Sequence, residues 1–275
     1  MSTITVPDPL PSPVEDSEAL RKAFQGWGTD ENAVIKILGH RLAPHRREIA
    51  DAYQQLYGES LVDRLHSELS GDFRKAMIWW AQEPAERDAR QAKEALVWVI
   101  IEIACASSPN HLMAVRRAYC SLFQTSLEED VLGKLLVGLV TSYRYSGVHV
   151  DGELARSEAA RLCDAVVLRI LGTRSKPQLR ATFQQYIEQS GSAIDEFAPF
   201  LKTVVWCLAY PAKHFAEVVR SSIVGLGTDE DSLSRAIITR AEIDLLEIKE
   251  EYYKVRLVID DTSGYYKDFL LTLLG

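Results

Sequence analysis

Gly26-Trp27-Gly28-Thr29-Asp30-Glu31 returns 199 residues later as Gly225-Leu226-Gly227-Thr228-Asp229-Glu230, with one residue type changed. Glycine turns the chain tightly and leaves its carbonyls pointing outward. Thr or Asp followed by Glu is a helix-start signal, since the first turn favours a side-chain acceptor and a negative charge. Two such turns at a constant shift read as two copies of one structural unit, each carrying the same oxygen-rich loop.

The unit extends beyond the loop. Arg41 aligns with Arg174 and Arg240, and Tyr53 aligns with Tyr119, Tyr186 and Tyr252, which sets a period near 66 residues. The apolar set Val34, Ile37, Leu38 becomes Ile100, Ile103, Ala104, then Val167, Ile170, Leu171, then Leu233, Ala236, Ile237. Spacing i, i+3, i+4 marks one face of a helix. A stripe that recurs at a common step marks a repeat architecture, in which each unit buries its face on its neighbours.

Composition agrees with an all-α chain. Helix formers dominate, and the 15 glycines and 10 prolines are modest in number and sit at unit edges. A formal net charge of −8 disfavours nucleic-acid binding, which calls for a basic face. It also disfavours unaided adhesion to an anionic membrane. Cys105, Cys120, Cys163 and Cys207 are scattered without a CxxC pair and read as thiols of a reducing compartment. No secretory signal is visible at the N-terminus. The oily run from Ala95 to Ala106 contains Glu102 and is shorter than the ~20 apolar residues of a membrane span. Any membrane contact is therefore expected to be peripheral.

Along the chain, Pro7, Pro9, Pro11 and Pro13 predict an extended arm over residues 1–16. Asp16 or Ser17 then caps a first helix to about Gln25. Thr29 or Asp30 caps a second through Leu42, Pro44 opens a third that Gly58 stops, Ser60 starts a short fourth, and Asp72 begins a fifth reaching Ala81. The predicted organisation is four repeats of about five helices, over 17–82, 83–141, 156–210 and 211–275, with a linker at 142–155. The first helix of the third repeat is expected near Ser157 to Ala165. Repeats 2 and 3 lack the glycine loop; around Glu94 and Ala95 the chain reads as plain helix. Loops are shortened in repeats 2, 3 and 4.

The loop chemistry is that of a hard cation. Outward carbonyls with one bidentate carboxylate and waters satisfy Ca²⁺, which takes roughly 6–8 oxygens. The acid must come from elsewhere in the unit. Glu68, three residues before Gly71, lies at the turn between the fourth and fifth helices, and Asp261, three before Gly264, lies at the corresponding turn. Loop and distant acid therefore occur together in the two outer repeats.

This pattern resembles the annexin family, on Gly26-x-Gly28-Thr29 with Glu68, Gly225-x-Gly227-Thr228 with Asp261, and the repeated five-helix unit. The resemblance covers essentially the whole chain. The opening Thr3-Ile4-Thr5-Val6-Pro7 and the restriction of loops to repeats 1 and 4 are similar to the plant branch. The resemblance implies an annexin-like, slightly curved disc. It also implies calcium held by the carbonyls of Phe24, Gly26 and Gly28 with the Glu68 carboxylate, and by Ile223, Gly225 and Gly227 with Asp261. Accessory sites would use Thr29 with Glu31, and Thr228 with Glu230. The implied function is reversible, calcium-dependent binding to anionic phospholipid, cytoplasmic and peripheral, with Trp27 and Leu226 at the loop tips as membrane contacts. Gly28 and Glu68 are 40 residues apart, but Gly227 and Asp261 only 34, so the first site ranks above the second.

Other readings are weaker. A helical scaffold for protein partners explains the period but not the acid–loop pairing. The resemblance also permits a calcium-permeable channel, for which Glu102 would be a lining candidate, a cytoskeletal partner, and peroxidase-like activity through a histidine near His40. No catalytic constellation is readable around His40, so the chain is read as a non-enzyme. The sequence sets no oligomeric state.

Overall fold

The computed structural model describes residues 1–26, 28–94, 97–130, 134–141, 144–159, 167–190, 199–224, 227–252 and 262–275. Among the described residues the secondary structure is wholly helical. The first repeat region holds α1 (Pro13–Ala23), α2 (Glu31–Leu38), α3 (Ala43–Tyr57), α4 (Leu61–Glu68) and α5 (Gly71–Ala81). The second holds α6 (Pro84–Glu94), α7 (Val97–Ala106), α8 (Pro109–Phe123), α9 (Leu127–Asp130) and α10 (Lys134–Thr141). Then follow α11 (Gly152–Ala159), α12 (Val167–Thr173), α13 (Lys176–Ser190) and α14 (Pro199–Ala209). The last are α15 (Pro211–Ser221), α16 (Glu230–Arg240), α17 (Leu245–Glu251) and α18 (Gly264–Leu274). A fourth helix in each of the last two regions would fall on 191–198 and 253–261, outside the described residues.

Local signals account for most of these ends. Ser60 caps α4 by accepting from the Asp63 N–H, and Gly58 ends α3 in the left-handed region. Three boundaries differ from the sequence expectation. The first helix starts at Pro13, not after Asp16: Ser12 and Glu15 form a reciprocal capping box, and proline is tolerated at the first helical position. The extended arm thus ends at Ser12. The second helix stops at Leu38 rather than Leu42. Gly39 lies so close to α18 that an added Cβ would sit 2.8 Å from the Thr272 methyl. The third region's first helix begins at Gly152, inside the expected linker, because Asp151 accepts from the N–H groups of Glu153 and Leu154.

The chain forms two compact units, Met1–Pro84 with Phe215–Gly275, and Ala85–His214. In the first, α1 packs on α2 and α3, α5 on α4, α16 and α18, and α2 on α18. The recurring stripe is the core: Val34, Leu38, Leu233, Ala236 and Ile237 are fully buried. Fully burying such an aliphatic side chain contributes about 1.5–3 kcal/mol as an upper estimate. Trp80 is buried, donates its indole N–H to the Leu38 carbonyl at 2.7 Å, and stacks under the Arg46 guanidinium at 3.5 Å. The arm is tied down too. Thr3 N–H donates to the Ala241 carbonyl, the Met1 ammonium pairs with Glu247, and His40 Nδ1 lies 2.8 Å from the Thr5 carbonyl.

In the second unit α7 packs on α14, α11 on α13, and α10 on α7 and α12. Ile103, Ala104, Ile170 and Leu171 continue the stripe as buried residues. Glu102 is buried with His214 Nε2 at 2.9 Å. Cys105 and Cys207 are buried, whereas Cys120 is exposed; burial pushes the Cys105 thiol up to about 11. Cys163 lies outside the described residues.

The aligned arginines share one role. Arg41 makes a bidentate bond to buried Asp16 at 2.6 and 2.7 Å, Arg174 pairs with Glu158, and Arg240 pairs with Asp244. The buried guanidiniums of Arg41 and Arg240 need such a partner to offset lost hydration, and half-buried Arg174 is likewise tied to a carboxylate of its own unit.

Candidate metal centre

The repeat-1 loop begins where α1 ends. Phe24 caps the helix in the αR region, and its ring is buried while Gly26 and Gly28 are exposed. Gly26 has φ +128° and Gly28 φ +90°. A Cβ at either position would meet nothing within 4 Å. The glycines are therefore required by backbone conformation, not by space. The Asp30 N–H closes the loop onto the Ala23 carbonyl at 2.9 Å, and the Asp30 side chain caps α2 through the Ala33 N–H.

Glu68 is the last residue of α4, and packing of α4 on α5 and α3 delivers it to this loop. Thr29 donates its hydroxyl to Glu68 Oε2 at 2.7 Å. The other carboxylate oxygen, Oε1, accepts from Arg64 Nη2 at 2.9 Å. The same Nη2 lies 3.4 Å from the Phe24 carbonyl oxygen. Loop carbonyl, loop hydroxyl and distant acid thus meet, though α4 and the loop are some forty residues apart in sequence.

Repeat 4 reproduces the backbone and caps of the repeat-1 loop at its described residues. Gly227 has φ +96°, the Asp229 N–H closes onto the Ser222 carbonyl at 2.6 Å, and Asp229 caps α16 through the Ser232 N–H. Asp30 and Asp229 have φ, ψ of −84°, 84° and −88°, 86°. Ser70 and Ser263 have −140°, 164° and −141°, 165°, and each precedes a glycine at φ near +60°. Ile223 and Thr228 stand half-buried in the positions of Phe24 and Thr29. Trp27, Gly225, Leu226 and Asp261 lie outside the described residues.

Glu31 and Glu230, each the first residue of the helix after its loop, both line one cleft of about 280 Å³ with Ser70, Asp72, Thr262 and Tyr266. Tyr266 bonds the Ser234 hydroxyl and donates to the Glu230 carbonyl. Burial, and then the charges of Asp72, Glu230 and Asp231, hold its phenol well above the usual range against the Ser234 bond.

Two contributors escaped the sequence reading. Arg64 carries no motif, and only the helical spacing to Glu68 could have flagged it. Val224, two residues before Leu226 in sequence, is 64 % exposed.

The donor set fits a hard cation. It is made of oxygens, the glycine conformations leave the loop open, and a guanidinium already touches one carbonyl and the acid at once. Among the described residues no three His, Cys, Asp or Glu side chains converge at metal-binding geometry. Main-chain oxygens would have to supply most of the ligands.

A chain whose described residues are helical, built of repeated units, with glycine loops in its outer members and Glu68 delivered to the first of them, belongs to the class of helical-repeat proteins with glycine loops between helices. A sequence model of the annexin family matches residues 15–80, 87–136 and 214–273, and the chain belongs to that family. It is 47% identical to Annexin D3 of Arabidopsis thaliana, covering 100% of this chain and 99% of that protein. That alignment spans 318 positions against 275 residues here, so the relative has stretches without a counterpart in this chain. Among solved structures, annexin III superposes with a TM-score of 0.91 at 32% identity, over 100% of this chain and 97% of that one. A calcium-bound annexin (Sm)1 superposes with a TM-score of 0.89 at 28% identity, over 100% and 93%.

Proposed function

We propose that this protein binds anionic phospholipid membranes reversibly and in a calcium-dependent manner, through the glycine loops of repeats 1 and 4. The observation that carries this reading is the placement of Glu68 against Thr29 of the repeat-1 loop at 2.7 Å. The carbonyls of Phe24, Gly26 and Gly28 with the Glu68 carboxylate would hold the ion, with Ile223, Gly225, Gly227 and Asp261 as the second set. Calcium, when bound, supplies positive charge and open coordination positions for lipid phosphate oxygens.

The chain's own part is to gather oxygens on an exposed bend. A protein of net charge −8 and an acidic bilayer repel each other, so adhesion needs that charge supplied from outside. Trp27 and Leu226, with Val224, offer apolar contact to the headgroup layer. The membrane role is peripheral, and no helix among the described residues is long and apolar enough to cross a membrane. The relatives' membership in one family and the calcium-bound state of annexin (Sm)1 support the reading.

Sedimentation with phosphatidylserine vesicles tests it. The protein is expected to pellet with calcium and return to the supernatant with chelator. A protein that stays in the supernatant in both conditions is a helical scaffold and not a membrane binder.

A further inference from the structure

Arg64 holds the two groups that the proposed function assigns to the ion. Its Nη2 contacts Glu68 Oε1 at 2.9 Å and the Phe24 carbonyl at 3.4 Å. The guanidinium carbon lies 5.9 Å from the Phe24 ring centre, and Nε is buried without a hydrogen-bond partner. The head group is thus held by the loop and the acid. The side chain is 27% exposed, so it has an open route to solvent.

We propose that Arg64 is a tethered counter-cation for the repeat-1 loop, competing with a divalent ion for the Phe24 carbonyl and the Glu68 carboxylate and so raising the concentration at which the loop fills. The inference rests on the proposed function of that loop. Calcium held by Glu68 would compete with Arg64 for Oε1. Arg64 would either swing away on loading, and the Glu68 pair is then lost, or stay in place. If it stays, its unit charge sits beside a double charge a few ångströms away, which is unfavourable even in water. Repeat 4 has no equivalent by sequence, since the residue four before Asp261 is Leu257.

Calcium titration by calorimetry, without lipid, on the full chain in a D261N background tests the competition at repeat 1 alone. R64Q and R64A are expected to bind roughly three- to tenfold tighter than the parent, the scale of one partly exposed ion pair plus residual repulsion. R64K, which keeps the charge, is expected to stay nearer the parent. Thermal melts give a second readout: without calcium R64Q melts lower, because Glu68 has lost its partner, yet calcium raises its midpoint more than it raises the parent's. R64Q keeps a polar side chain and covers the case in which R64A does not fold. If the parent binds and R64Q binds equally or more weakly, Arg64 orients Glu68 for the ion and the competition is overturned. If the D261N parent binds no calcium, the repeat-1 site itself is overturned, and this inference with it.

Discussion

Repeats 1 and 4 reproduce one backbone to within a few degrees at Asp30 and Asp229 and at Ser70 and Ser263, yet their side chains treat it differently. Repeat 1 brings Arg41, in the connection between α2 and α3, to a nearly fully buried carboxylate on α1, Asp16. Repeat 4 brings Arg240 to Asp244, four residues on and more exposed. Repeat 1 places a cation, Arg64, against its own loop acid; repeat 4 has leucine at the matching sequence position. Glycine and cap positions set the backbone, and the flanking helices set what the loop meets. The lesson is that a duplicated loop preserves its conformation more readily than its electrostatic surroundings.

The largest expected effect tests the two arginines. R41A leaves Asp16 buried and short of its main partner, and should cost about 3–5 kcal/mol in chemical denaturation. R240A should cost less, about 1.5–3 kcal/mol, because Asp244 can be hydrated. Equal losses would remove this difference between the repeats.

Next come the acids. E68Q should raise the calcium needed for half-maximal pelleting with phosphatidylserine vesicles by roughly tenfold or more, equivalent to about 1.4 kcal/mol. D261N should shift it less, since only 34 residues separate Asp261 from Gly227, against 40 in repeat 1. A larger shift from D261N would reverse the ranking of the two sites.

The glycines should behave alike. G28A and G227A each force a side chain into φ near +90° with open space around it, a conformational cost of about 1–2 kcal/mol. Matching losses in thermal or chemical melts would show that the shared backbone, and not local packing, demands glycine at both.

The smallest effect concerns how repeat 1 begins. The Ser12 backbone N–H, and then its hydroxyl, hold the Glu15 carboxyl below its ordinary value of 4.5. A carboxyl depressed on folding stabilises above its unfolded pKa, and that contribution is lost as pH falls through the folded one. E15Q should therefore flatten the acid side of the pH–stability curve, and S12A, which keeps the backbone donor, should flatten it in part. Repeat 4 has Tyr210 before Pro211, which offers no such cap, so Y210A should leave that slope unchanged.

What was legible in the sequence was local or periodic. The i, i+3, i+4 stripe, the Ser60 and Asp30 caps, the Gly58 stop and the two glycine loops all depend on residues within a turn or two, so their chemistry reads directly. The helix starts at Pro13 and Gly152 are not legible in the same way, because the alternate prolines and the glycine-containing stretch 142–155 signal extended chain and linker, while the Ser12 and Asp151 caps start the helices. Tertiary structure decided the rest. The delivery of Glu68 to Thr29, the binding of Phe24 and Glu68 by a single Arg64 nitrogen, the choice of Asp16 for Arg41, and the gathering of Glu31 and Glu230 into one cleft join residues up to some two hundred positions apart. No propensity or spacing encodes such meetings; the packing of buried helix faces sets the angle at which each helix end arrives, and with it the company each charge keeps.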